Sequence, residues 1–175
     1  MIFDALTLAG AYLVKPERIV DDRGHFARAF CECEFGEAGL ESRFVQSSMA
    51  FTREAGTVRG LHFQTYPHWE TKFVRCTRGR AWVVIVDLRR EERTFCNWIG
   101  VELTEENGHA IYVPEGFAQG YQTLSDDTEV LYQMNREYVP KAAAGYSYCD
   151  PAFSINWPIE PRNLSAKDLS WSPFE

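Results

Sequence analysis

Residues 80–88 read RAWVVIVDL, and Ala81 to Val86 carry no polar break. The run is short, rich in β-branched residues and preceded by the turn formers Arg78-Gly79, so it reads as a strand buried on both faces. Working outward, the same pattern recurs: AYLV, HFARAF, RFVQSSMAF, TVRGLHF and KFVRCTRG come before it, and TFCNWIGVEL, HAIYVP, FAQGYQTL and EVLYQMNREY after it. Turn formers separate most of these runs, among them Asp22-Arg23-Gly24, Asn107-Gly108, Pro114-Glu115-Gly116 and Ser125-Asp126-Asp127. Many short strands with close punctuation predict an all-β chain, an antiparallel sandwich or barrel. A short helix is predicted within CECEFGEAGL (31–40), and WPIEPRNLSAKDLSWSPFE (157–175) is predicted to wrap irregularly over the surface. With no repeat, low-complexity stretch or linker, residues 1–175 read as a single domain.

Composition bounds the function. The 175 residues suffice for one substantial core, and the 14% of aromatic residues suits strands and stacking pockets. A net charge of −7 argues against a general nucleic-acid binder, so a phosphate-bearing ligand must be met by arginines concentrated locally. No stretch approaches the ~20 apolar residues that span a bilayer. The opening MIFDALTLAG lacks the basic and long apolar regions of a secretory signal. Cysteines at 31, 33, 76, 96 and 149 form no CxxC pair, so reduced thiols in a cytoplasmic protein are expected rather than a zinc site.

GTVRGLHFQ (56–64) departs from ordinary strand composition. Strict alternation places Gly60, His62 and Gln64 on one face and Arg59, Leu61 and Phe63 on the other. A histidine beside a glycine on an inward face suggests a pocket, because glycine lets a ligand approach the backbone. A core histidine satisfied by hydrogen bonds is the competing reading. For Arg59 to reach the same pocket, the strand must bulge or twist near Gly60. Lys72 and Arg75 in KFVRCTRG, Tyr132 in EVLYQMNREY, and Lys167 with Asp168 in SAKD add further groups. Together they form the set needed for proton transfer beside a carbonyl of an anionic substrate: a base, a proton donor, a cation for the enolate and arginines for phosphate.

Seven segments, DDRGHFARAF, TVRGLHFQ, ETKFVRCTRG, VPEGFAQGY, EVLYQMNREYVP, DPAFSINWP and LSAKD, occur in order over nearly the whole chain. In them the sequence resembles the dTDP-4-dehydrorhamnose 3,5-epimerase family of deoxysugar biosynthesis. The resemblance implies a cupin fold, a double-stranded β-helix or jelly-roll barrel with short peripheral helices. It implies that His62 is the general base and that Asp168 orients it, with Tyr132 as proton donor and Lys72 as the cation near the sugar ketone. Arg59 and Arg23 are implied to hold the diphosphate, and Gln46, Ser47 and Ser48 to form a polar segment near the ligand. Arg28, Gln119, Tyr138 and Lys167 fall at further substrate-side positions. The same resemblance implies a nucleoside-diphosphate sugar as substrate, a homodimer whose sites share residues, and no metal or organic cofactor. His62, His68 and Glu70 do not have the spacing of the usual cupin metal ligands.

Five positions depart from the family pattern. Ile19 stands where a phenylalanine often stacks on thymine, and Arg28 where an acidic residue is usual. These two changes open CDP or GDP as carriers in place of dTDP; a pairing of Arg28 with Asp21 or Asp22, or a solvent-facing Arg28, is the alternative. Gln119 replaces the histidine of the family's GFAHGF segment and cannot shuttle protons, so inversion at a single carbon is a further alternative. Val83 replaces an aspartate, and an acidic residue is missing from Lys141-Ala142-Ala143-Ala144. Against the epimerase stand two other classes, a related cupin ketoisomerase, and a cupin that binds a nucleotide sugar without chemistry or depends on a metal.

Overall fold

The structure, a computed structural model, describes residues 1–174; Glu175, the last residue of the expected single domain, lies outside the described residues. Thirteen strands and two short helices follow in chain order: β1 Ile2–Ala5, β2 Tyr12–Lys15, β3 Arg18–Asp21, β4 Gly24–Ala27, α1 Glu32–Glu37, β5 Gln46–Thr52, β6 Val58–Gln64, β7 Lys72–Arg78, β8 Arg80–Asp87, β9 Trp98–Thr104, β10 Ala110–Val113, β11 Phe117–Thr123, β12 Thr128–Met134, β13 Ala143–Gly145 and α2 Ala166–Leu169. A six-stranded sheet has the order β1-β2-β10-β7-β12-β5, and a five-stranded sheet the order β13-β6-β11-β8-β9. The β3–β4 hairpin stands apart as a two-stranded sheet. The apolar runs all fall on strands. β1, β3 and β13 lie outside those runs, being short and poor in sustained apolar pattern. Among the described residues no helix is long and apolar enough to cross a membrane.

The run 80–88 behaves as read. β8 is paired antiparallel with β11 on one side and β9 on the other. Val83 and Ile85 enter the main core with Val74, Ile111 and Val130 of the facing sheet. Val84 and Val86 pack on the other face against Leu61 and Phe153. Both faces are dry because the irregular C-terminal stretch, carrying Phe153, Ile155 and Trp157, covers the outer one.

The predicted helix is a single six-residue element, too short to persist alone. It is held by Phe35, which is fully buried and meets Phe73 edge-on at 5.0 Å, with Phe3, Phe30 and Phe44 around it. Burying that side chain contributes roughly 1.5–3 kcal/mol.

The feature that places the site is a bulge. In the β6–β11 ladder His62 lies opposite Gln119 and Arg59 opposite Tyr121, so Gly60 and Leu61 share the single partner Gly120. Gly60 has φ +125°, and a Cβ there would lie 2.5 Å from the Gly120 Cα. The extra residue breaks the alternation, so Arg59 and His62 open on the same cavity while Leu61 is fully buried. Gly60→Ala is expected to destabilise the protein by about 2 kcal/mol or more, measured by urea denaturation.

Candidate active site

A cavity of about 470 Å³ is walled by strands of both sheets and by the C-terminal segment. From β6 it receives Arg59 and His62, from β7 Lys72, from β11 Gln119, from β12 Tyr132, from β5 Gln46 and Ser48, and from α2 Lys167 and Asp168, with Tyr138 beyond β12. The fold thus brings together ten of the side chains singled out in the sequence.

His62 and Asp168 are 106 residues apart in sequence, yet Nε2 lies 2.5 Å from Asp168 Oδ1. The other carboxylate oxygen accepts the Ser165 hydroxyl at 2.9 Å, and Ser165 Oγ in turn caps α2 by accepting the Asp168 N–H at 3.0 Å. Asp168 is therefore buried with both oxygens engaged. Trp171 lies edge-on to the imidazole at 6.1 Å. Gly145 of β13 leaves room for that indole, since a Cβ would lie 2.5 Å from it. Burial holds the His62 imidazole below its ordinary pKa, against the opposing pull of Asp168; the nearby Lys72 and Lys167 charges add to the lowering. The ring is thereby a neutral base near pH 7. Nε2–H donates to Asp168, and the other ring nitrogen keeps its lone pair.

Lys72 is buried at the start of β7, 3.1 Å from Glu70 Oε1 and donating to the His62 carbonyl at 3.3 Å. A buried ammonium requires such a partner, and the pair fixes a positive charge beside the imidazole's own backbone. Tyr132 lies opposite Ser48 on β5 and Val74 on β7. Arg59 donates through Nε to Thr52 Oγ1 at 3.1 Å and through Nη2 to the Phe51 carbonyl at 3.3 Å. Lys167 lies over the Trp171 ring at 5.3 Å, and Gln46 Oε1 accepts the Tyr138 N–H at 2.8 Å.

Three sequence candidates stand outside the cavity of their own chain. Ser47 points outward, because β5 alternates and it lies between the inward Gln46 and Ser48. Arg23, at the tip of the β3–β4 hairpin, is largely exposed and paired with Asp21. Arg28 is exposed and bound to Glu34 at 2.8 Å, rather than to Asp21, which pairs with Arg23, or to Asp22. Ile19 is 70% exposed on the same hairpin. Of the other departures, Val83 is fully buried in the core, while Ala143 and Ala144 line the cavity.

Sequence reasoning passed over Tyr121 and Trp171 and weighed Glu70 only as a metal ligand; all three line the cavity. The signal for Tyr121 was the last letter of GFAQGY; Glu70 and Trp171 resemble ordinary strand-end and tail residues. Among the described residues, no group of three or more His, Cys, Asp or Glu is arranged to hold a metal ion, and all five cysteines are free.

The profile of the dTDP-4-dehydrorhamnose 3,5-epimerase family matches residues 5–175. The chain belongs to that family. A dTDP-4-dehydrorhamnose 3,5-epimerase from Sinorhizobium fredii is 40% identical over 171 residues, covering 97% of this chain and 88% of the relative. The crystal structure of the Bacillus anthracis dTDP-4-dehydrorhamnose 3,5-epimerase, with TDP and PPi bound, superposes with a TM-score of 0.96 at 34% identity, over 99% of each chain. ChmJ, a 3'-monoepimerase from Streptomyces bikiniensis solved with dTDP-quinovose, gives 0.88 at 30% identity, over 96% of this chain and 85% of its own. The two sheets are accordingly the cupin jelly roll of these epimerases, and this family member is an isomerase.

With His62 depressed by burial, kcat/KM is expected to hold near neutrality and to fall in acid, through a pKa below the ordinary histidine value of about 6.5. Asp168→Asn removes the one contact that raises it. The acid limb should then move to still lower pH while kcat falls on the order of 10²-fold or more, as pH–rate profiles of both proteins would show.

Proposed function

We propose that this epimerase inverts C3 and C5 of a nucleoside-diphosphate 4-keto-6-deoxyhexose. One observation carries the reading: His62 stands on the five-stranded sheet and Tyr132 on the six-stranded sheet, and both line one cavity. A sugar lying between them has a base at one face and a phenol at the other, the arrangement that inversion demands. His62 takes the proton from the carbon next to the ketone, and the electron pair moves onto the C4 oxygen. The Lys72 ammonium stabilises that enolate, and Tyr132 returns a proton from the opposite side. Arg59 holds the diphosphate. Gln46, Ser48, Gln119, Tyr138 and Lys167 contact the remainder of the substrate.

Deuterium uptake tests this. In D2O with dTDP-4-keto-6-deoxyglucose, and separately with its CDP and GDP counterparts, NMR should show label at C3 and C5. His62→Ala should lose all exchange, whereas Tyr132→Phe should keep some exchange with little inversion. Full epimerisation by His62→Ala would refute the assignment. A second reading, inversion at one carbon, is favoured by Gln119, which lies directly opposite His62 in the ladder. Label confined to one carbon would establish it.

The working unit we propose is a cytoplasmic homodimer of this single domain, residues 1–175. The β3–β4 hairpin exposes Ile19, Val20 and Phe26, and the outer surface of β5 exposes Met49 and Phe51. A lone hairpin gains little stability by itself, and this one carries Arg23 away from its own cavity. Seated on a second copy, it would deliver Arg23 to the partner's diphosphate, with Ile19 and Arg28 toward the nucleoside. Mixing inactive His62→Ala and Arg23→Ala proteins should then restore about a quarter of wild-type activity, since each mixed dimer has one intact site. No recovery under conditions of subunit exchange would exclude a shared site.

A further inference from the structure

We infer that Phe174 is a positioning residue for the His62–Asp168 pair, because it anchors the strap of chain that carries Asp168. Ser165, Lys167, Asp168 and Trp171 of this strap line the cavity. Asp168 sits on α2, which has four residues and is too short to persist alone. Upstream, the segment is stitched to the barrel. Both amide atoms of the buried Gln122 bind the Ile159 backbone, at 2.9 and 3.2 Å. The Arg162 N–H donates to the Gly56 carbonyl at 2.8 Å, and the Arg162 carbonyl accepts the Val58 N–H at 3.3 Å. Among the described residues, 164–173 then make one hydrogen bond to the barrel, the contact of Asp168 with His62.

Phe174 fixes the downstream side. Its N–H donates to Asp150 Oδ2 at 2.8 Å, and the other oxygen of that buried carboxylate accepts the Ala152 N–H at 2.9 Å. The Phe174 ring meets Tyr146 and Phe153 at 5.1 Å each and Phe95 at 5.8 Å. Asp150 and Phe153 belong to DPAFSINWP, a segment with no side chain in the cavity, so its buried carboxylate acts on the site only through the strap. The socket is tied to His62 by backbone. Tyr146 exchanges two main-chain hydrogen bonds with Leu61, at 3.0 Å each, and Gly145, the seat of Trp171, lies opposite His62 in the ladder. Asp168, Trp171 and Phe174 thus rest in turn on His62, Gly145 and Tyr146. Without the ring the strap is stitched at Arg162 alone, and fewer molecules hold Asp168 on His62. Activity that needs the pair falls by that fraction.

The inference rests on the reading of His62 as the base, but its first readout does not. Proton NMR of ligand-free protein labelled with 15N-histidine should show the His62 Nε2–H far downfield, identified by its loss in Asp168→Asn. Along the series Phe174→Leu, Phe174→Val and Phe174→Ala the signal should weaken stepwise, with Phe174→Leu near wild type. Melting temperatures should move by only a few degrees, because the ring packs on the outer layer and not in the core between the sheets. Turnover of dTDP-4-keto-6-deoxyglucose should lose about tenfold in kcat in Phe174→Ala and little in Phe174→Leu. In the Asp168→Asn background Phe174→Ala should have almost no further effect. A wild-type signal and kcat in Phe174→Ala would overturn the inference while leaving His62 in its role. An undiminished loss of kcat in the Asp168→Asn background would also overturn it, because the ring would then act by another route. A lost signal with kcat retained would overturn the role of His62 itself, and the inference with it.

Discussion

Arg59 and His62 reach one cavity through a single mismatch, two residues of β6 facing one residue of β11. A regular strand would send Arg59 and His62 to opposite faces, one into the cavity and the other away from it. The bulge at Gly60 turns both inward and lets Leu61 seal the opposite side against Val84 and Val86. The mismatch persists because both residues at its centre are glycines: a Cβ on Gly60 would strike the Gly120 backbone, and one on Gly120 would come within 2.9 Å of the Arg59 carbonyl. The barrel spends two residues without side chains on this point, and the reward is a guanidinium and an imidazole on one wall.

Electrostatics then decides the state of each group. The interior takes up ionisable side chains in pairs, His62 with Asp168 and Lys72 with Glu70. The pairs work in opposite senses. For His62, burial outweighs its carboxylate and favours the neutral ring. For Lys72, a carboxylate at 3.1 Å offsets the cost of burying the side chain. The first pair depends on residues 165–174. Ser165 caps the short helix and Trp171 packs beside the imidazole. The Phe174 N–H donates to Asp150 at 2.8 Å, which fastens the end of the tail to the barrel.

The hairpin is the part of the chain that its own barrel does not use. Its apolar side chains face solvent, and Arg23 at its tip stands outside the cavity of its own chain. The proposed dimer accounts for both facts with one contact.

The sequence by itself determined most of the strands, because alternation and turn residues act locally; RAWVVIVDL could be read as doubly buried without knowing what covered it. It also determined the chemical inventory, since His62, Lys72, Tyr132 and Asp168 were all visible in their motifs. It exposed the condition that Arg59 could reach the pocket only through a bulge at Gly60. Tertiary structure decided which of these groups meet. No local rule joins His62 to a residue 106 positions away, or pairs a buried Lys72 with Glu70. Ser47 was turned outward by the pleat, and Arg23 and Arg28 were carried off by a hairpin whose direction depends on packing. Tyr121 was the least legible. A phenol in an apolar strand looks like core until its oxygen is found without a partner, and that shortage is a property of the assembled barrel rather than of any segment.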